Sequence, residues 1–182
     1  MKTANGETFS PQFIENRLKF SPYIKEAVAF GDGENEVTAF LNVDPLTAGQ
    51  WAEKRQIAYS TYMDLSSKPE LAELILKEVQ EANTRLEPHE RIARFVLLYK
   101  LLDADDDELT RTGKVRRKLI RQKYAPIVAA LYDGSDAVRV EATFKYQDGQ
   151  TQRVETDVVV HRIPGAEQRL PRISVQAQGV RA

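Results

Sequence analysis

The chain has 182 residues, 42% of them apolar and 29% charged, which is enough apolar material for a packed domain and too much for a disordered chain. Lys and Arg total 26 against 27 Asp and Glu, so the formal charge of -1 lacks the basic excess of a global nucleic-acid binder. The absence of cysteine excludes disulfides, a thiol nucleophile and zinc–thiolate sites, and the 2 histidines, His89 and His161, are too far apart in sequence to suggest a metal centre. Uninterrupted apolar runs such as residues 95–99 reach only about five residues, too few to span a bilayer. The opening residues form neither a signal nor a transit peptide. These features predict a soluble, cytoplasmic protein.

Residues 2–7 are turn formers with no element before them, as expected of a chain cut inside a larger protein. Ser10-Pro11 then opens a helix, since Ser is a good N-cap and Pro needs no N–H partner at the first helical position. Phe13, Ile14 and Leu18 give that helix an apolar side, and Ser21-Pro22 ends it. Residues 27–30 and 37–43 read as a hairpin around the turn formers of residues 31–35. In its second strand Val37, Ala39, Leu41 and Val43 alternate with Thr38, Phe40 and Asn42.

Thr47-x-x-Gln50 and Ser67-x-x-Glu70 resemble capping boxes at the starts of two further helices. The second helix carries Leu71, Leu74, Ile75, Val79, Ala82 and Leu86 on one face and runs to Pro88. Residues 94–102 predict a central strand. An acidic run, Asp103 with Asp105, Asp106, Asp107 and Glu108, reads as a solvated loop without the spacing of a calcium site. A basic helix follows, restarts at Pro126 and ends near residues 132–134. Residues 138–146 and 154–160 predict a hairpin turning at Asp148-Gly149, which must join a sheet or dock on the body to be stable. Beyond Pro164 the periodicity weakens into a tail. Strands and helices mix without strict alternation, so the fold class is α+β.

The segment Thr110-Arg111-Thr112-Gly113-Lys114 stands out chemically. It is not a phosphate-binding P-loop, because Glu108 replaces the first Gly and Val115 replaces the final Ser or Thr. A Gly- and Thr-containing loop can still offer one compact cation to an anion. The seven Lys and Arg residues from Arg111 to Lys123 could meet nucleic-acid phosphates, nucleotide phosphates, or the preceding acidic run. No aromatic residues are interleaved for base stacking, which argues against nucleic acid.

Two separated segments together carry a family resemblance. Lys2-Thr3-Ala4-Asn5-Gly6-Glu7-Thr8-Phe9-Ser10-Pro11, continuing through Ile14-Glu15-Asn16 to Ser21-Pro22-Tyr23-Ile24, resembles the opening of the C-terminal domain of long-chain fatty acyl-CoA synthetases. Residues 108–117, Glu-Leu-Thr-Arg-Thr-Gly-Lys-Val-Arg-Arg, resemble that domain's lysine loop. The family is the adenylate-forming AMP-binding superfamily. The resemblance implies a mobile lid with a small, mostly antiparallel sheet flanked by helices over residues 1–132. A hairpin extension over 133–164 and a tail over 165–182 lie outside it.

The resemblance further implies that ATP and a fatty acid form an acyl-adenylate, from which coenzyme A displaces AMP. Lys114 falls on the family's adenylation lysine. Gly6 falls on the position whose backbone lines the pantetheine tunnel, with Glu7 and Thr8 beside it. Arg116 and Arg117 are candidates for coenzyme A phosphates. The implied partner is an N-terminal AMP-binding domain that holds most of the ATP site, the acyl pocket and Mg2+, and the chain alone is expected to be inactive. Arg111 and Gly113 depart from the long-chain pattern, which leaves acyl chain length open. The alternative reading is a stand-alone, non-catalytic lid-like module that binds a protein partner.

Overall fold

The computed structural model describes residues 1–145 and 151–166. Five strands, β1 (Ile24–Phe30), β2 (Val37–Val43), β3 (Ile92–Leu97), β4 (Ala137–Lys145) and β5 (Thr151–Arg162), form one sheet in the order β1-β2-β3-β5-β4. Every neighbouring pair is antiparallel except β2 and β3. That parallel pair needs a long crossover, supplied by helices α2 (Pro45–Lys54), α3 (Tyr62–Ser66) and α4 (Pro69–Asn83). The predicted α+β class and mostly antiparallel sheet are both present.

Helices cover both faces of the sheet. On one face Val37, Ala39 and Leu41 pack with Ile14 and Leu18 of α1 (Pro11–Leu18) and with Leu71 and Ile75 of α4. On the other, Val28, Phe40 and Val96 meet Ile120 of α5 (Arg117–Lys123) and Ile127 and Leu131 of α6 (Ala125–Tyr132). The alternation read in β2 therefore separates two cores, and the whole strand is buried. Its polar side chains have partners, as burial demands: the Thr38 hydroxyl donates to the Tyr132 oxygen at 2.8 Å.

Several boundaries differ from the sequence expectation. Phe13 leaves the apolar side of α1 and lies half exposed beneath the Arg17 guanidinium. Asp44, not Thr47, caps α2 by accepting from the Thr47 N–H at 2.8 Å, because Pro45 takes the first helical position. Pro69 likewise starts α4, and Ser67 instead ends α3, a short helix the pattern did not reveal. Helix α4 stops at Asn83, whose side-chain amide exchanges two 2.9 Å hydrogen bonds with the Ile92 backbone. Strand β3 stops at Leu97 because the Asn42 amide binds the Lys100 carbonyl and the Leu102 N–H, both at 2.8 Å, and draws the chain aside.

The second hairpin joins the sheet through β5, which pairs with β3 from Val96↔Val160 to Arg94↔Arg162. The expected turn at Asp148-Gly149 and all but the first residues of the tail lie outside the described residues. At the junction His161 stacks on Phe95 with ring centroids 4.9 Å apart, and burial holds its pKa below the ordinary histidine value. The folded state therefore resists a proton that the unfolded chain accepts below about pH 6.5. The resulting stability is present above that pH and is lost as pH falls through the lower folded pKa. His161→Phe keeps a stacking ring without the proton. Between about pH 7.5 and 5 the variant should lose less Tm than wild type, and parallel Tm profiles would refute this.

Candidate functional site

The two segments singled out in sequence both fold as small hairpins closed by an isolated bridge, Lys2↔Thr8 in one and Leu109↔Val115 in the other. In the first, the Thr3 N–H donates to the Glu7 carbonyl and the Gly6 N–H to the Thr3 carbonyl, each at 2.9 Å. It is tied to the β1–β2 loop, where the Gly33 N–H donates to the Lys2 carbonyl and the Ala4 N–H to the Glu34 carbonyl, both at 2.8 Å. Gly6, Glu7 and Thr8 are all exposed. His89 Nε2 lies 3.1 Å from the Thr8 carbonyl.

The second hairpin is held by three bonds around Thr110. Its N–H donates to the Lys114 carbonyl at 2.8 Å, its carbonyl accepts from Gly113 at 2.8 Å, and its hydroxyl accepts from the Lys114 N–H at 2.9 Å. Gly6 and Gly113 have φ of +85° and +76°, and a Cβ at either would meet nothing within 4 Å. Backbone conformation, not crowding, is what favours glycine at both positions. The tip holds residues 111–114 exposed. Among the described residues no ion pair or side-chain hydrogen bond engages the Lys114 ammonium.

A cleft of about 400 Å³ runs along α1 beside the Lys114 hairpin, lined by Pro11, Glu15, Lys19, Lys114 and Arg117 among others. Glu15 is buried and pairs with Arg117. Its carboxylate also accepts from the Ala29 N–H at 2.8 Å, while Arg117 Nε donates to the Ala29 carbonyl at 3.0 Å. A smaller cavity of about 220 Å³, lined by Met63, Ala72, Leu97, Val158 and His161, lies where α3 and α4 meet β5, away from both hairpins.

The acidic run is not uniformly solvated: Glu108 is fully buried at the base of the lysine hairpin. It binds Lys100 at 3.1 Å, Lys123 at 2.7 Å, the Tyr124 hydroxyl at 2.6 Å and the Asp103 N–H at 3.0 Å. Burial lowers the Lys100 pKa, but Asp106 and Glu108 more than offset this and hold it above the ordinary lysine value. Burial, with Glu108 adding to it, pushes the Tyr124 hydroxyl far up. Hydrogen bonding from Lys100 keeps Asp106 low. Of the seven basic residues from Arg111 to Lys123, four are paired with acids: Arg116 with Asp107, Arg117 with Glu15, Arg121 with Glu34, and Lys123 with Asp106 and Glu108. Among the described residues the basic helix thus meets acidic partners of its own chain.

The structure brings Lys114 and Arg117 to one cleft and turns Arg116 aside to Asp107, while Gly6, Glu7 and Thr8 lie outside the cleft lining. Both motifs contain a carboxylate whose burial was not expected, Glu15 and Glu108. A carboxylate set among the apolar positions of α1 is a signal for the first; the second stands in an acidic run that reads as solvated.

The family described as the AMP-binding enzyme C-terminal domain matches over residues 1–136. The chain is 32% identical over 132 residues to the long-chain-fatty-acid–CoA ligase FadD15 of Mycobacterium tuberculosis, covering 72% of this chain and 22% of that one. It is 25% identical over 134 residues to the peroxisomal long chain acyl-CoA synthetase 7 of Arabidopsis thaliana, covering 72% and 19%. The chain thus spans about a fifth of the length of these relatives. Among solved structures, the adenylation domain of a carboxylate reductase from Mycobacterium chelonae superposes with a TM-score of 0.57 at 18% identity, covering 73% of this chain and 19% of that one. The A-PCP didomain of a carboxylic acid reductase from Segniliparus rugosus, solved in complex with AMP, gives a TM-score of 0.56 at 16% identity, covering 74% of this chain and 17% of that one. With a family match across about three quarters of the chain and a fold shared with adenylation domains, the chain belongs to the AMP-binding enzyme C-terminal domain family.

Proposed function

We propose that this chain is the mobile C-terminal domain of an ATP-dependent fatty acid–CoA ligase and supplies the adenylation lysine to an N-terminal AMP-binding domain. The observation that carries this is the Lys114 hairpin, an exposed cation with no ion-pair partner among the described residues, lining a cleft on a family-matched fold. A carboxylate attacking an anionic α-phosphate builds charge that a positioned ammonium offsets, so the contribution is positioning and electrostatics more than acid–base chemistry. In the second step Gly6, Glu7 and Thr8 line the pantetheine path and Arg116 meets coenzyme A phosphates; Arg117, held by Glu15, is left out of that contact set. The chain alone makes no acyl-CoA, and the proposed setting is the cytoplasm. Mg2+ is held mainly by the N-terminal domain and the ATP phosphates, as it commonly is through one or two carboxylates plus substrate oxygens.

The test separates two half-reactions in the full-length ligase carrying this domain: acid-dependent ATP–pyrophosphate exchange, and thioester formation from supplied acyl-adenylate. Lys114→Ala should lose the first and keep most of the second. Gly6→Leu should do the reverse, because an unbranched Cβ at its φ of +85° costs the domain about 1–3 kcal/mol while the added bulk blocks the cofactor arm. Loss of both activities together in either variant would contradict a lid with two working faces.

A further inference from the structure

We infer that the partly buried Glu15–Arg117 ion pair is a positioning device for the Lys114 hairpin; this rests on the reading of Lys114 as the adenylation lysine. Arg117 opens α5, three residues after Lys114. Strand β1 is an edge of the sheet, and its Ala29 offers an N–H to Glu15 and a carbonyl to Arg117. The pair therefore locks the end of the lysine hairpin to α1 and to the sheet edge through one shared set of hydrogen bonds. The bonds around Thr110 set the shape of the hairpin, and the Arg116 N–H donating to the Glu108 carbonyl closes its base. Arg117 supplies the tie that sets its direction across the cleft.

The two hairpins depend on this pair unequally. The Gly6 hairpin has its own ties to the β1–β2 loop, and Phe9 at its end is buried in the core. Severing Glu15 from Arg117 thus shifts Lys114 and leaves Gly6 in place. Arg is required at 117 because a planar fork reaches the carboxylate and the carbonyl together, whereas a lysine offers a single point charge. Arg117 and Glu15 are positioning residues, not catalytic ones.

The experiment uses the full-length ligase with Arg117→Lys, Glu15→Gln, the double variant, and Lys114→Ala as reference, in the same two half-reactions with Tm alongside. Each single variant should lower kcat for exchange about 10- to 100-fold, the size expected for a misplaced group. KM for ATP and acid should stay within about twofold, because uniform binding is untouched. Thioester formation and its KM for coenzyme A should stay near wild type, and the double variant should be no worse than the worse single one. A raised KM for coenzyme A with exchange intact would instead make Arg117 a cofactor contact and overturn the inference. Equal loss in both half-reactions with a lowered Tm would overturn it too, as a purely structural pair. Should Arg117→Lys not fold, Glu15→Gln carries the test, since its amide oxygen still accepts from Ala29. If Lys114→Ala loses exchange while both pair variants keep it, only the positioning role falls; if Lys114→Ala keeps exchange, the underlying reading falls with it.

Discussion

Lys114→Ala is expected to lower acid-dependent ATP–pyrophosphate exchange by about 10²- to 10³-fold, the usual loss when one preorganised donor to developing charge is removed. The size follows from how the residue is presented. Its backbone is fixed on both sides by Thr110, so the stem leaves the hairpin in a defined direction. Its ammonium has no carboxylate to neutralise it among the described residues, unlike Arg116, Arg117, Arg121 and Lys123 nearby. A cation kept free in this way reaches a substrate anion without first breaking an internal pair. Lys114→Arg should recover little of the rate, since a rigid fork cannot reproduce a compact charge shared between two oxygens. Exchange within about threefold of wild type in both variants would mean that the loop is only a solvated turn.

What the sequence disclosed follows from how local each cause is. Helix α1 was legible because Ser10 accepts from Phe13 only three residues on and Pro11 fits the next position. The start of α4 was misread because Ser67 and Glu70 have capping-box spacing while Pro69, which decides the start, sits between them. The parallel pairing of β2 with β3 and the addition of β5 to β3 depend on partners far along the chain, which periodicity cannot reveal. The site shows the same division. Gly6 and Lys114 are proposed on ordered motifs legible in the sequence, whereas the cleft beside the Lys114 hairpin is lined by Glu15, which meets a partner 102 residues away. A charge is buried only where such partners exist, so its role is invisible until the fold is known.

Glu108→Ala should be among the most damaging single changes outside the apolar cores. The carboxylate is fully buried and both oxygens are occupied, one by Lys123 and Tyr124, the other by Lys100 and the Asp103 N–H. Removing it strands the Tyr124 hydroxyl and leaves Lys100, whose side chain is only 17% exposed, with Asp106 as its acidic partner. Breaking one side of a buried charge cluster typically costs about 3–5 kcal/mol. Lys123 can turn to water, since its side chain is 38% exposed, so the lower end of that range applies. For a chain of this size about 3 kcal/mol corresponds to a Tm lowered by roughly 6–12 °C. Glu108→Gln keeps an acceptor for Tyr124 and Asp103 and should lose about 1.5–3 kcal/mol. Because the Glu108 carbonyl also receives the Arg116 N–H, Glu108→Ala should speed amide exchange in residues 109–116 more than in β2, whose amides lie between two cores. A Tm within about 2 °C of wild type would show that Lys100 and Lys123 find water or Asp106 at no cost, and that the hairpin does not depend on this carboxylate.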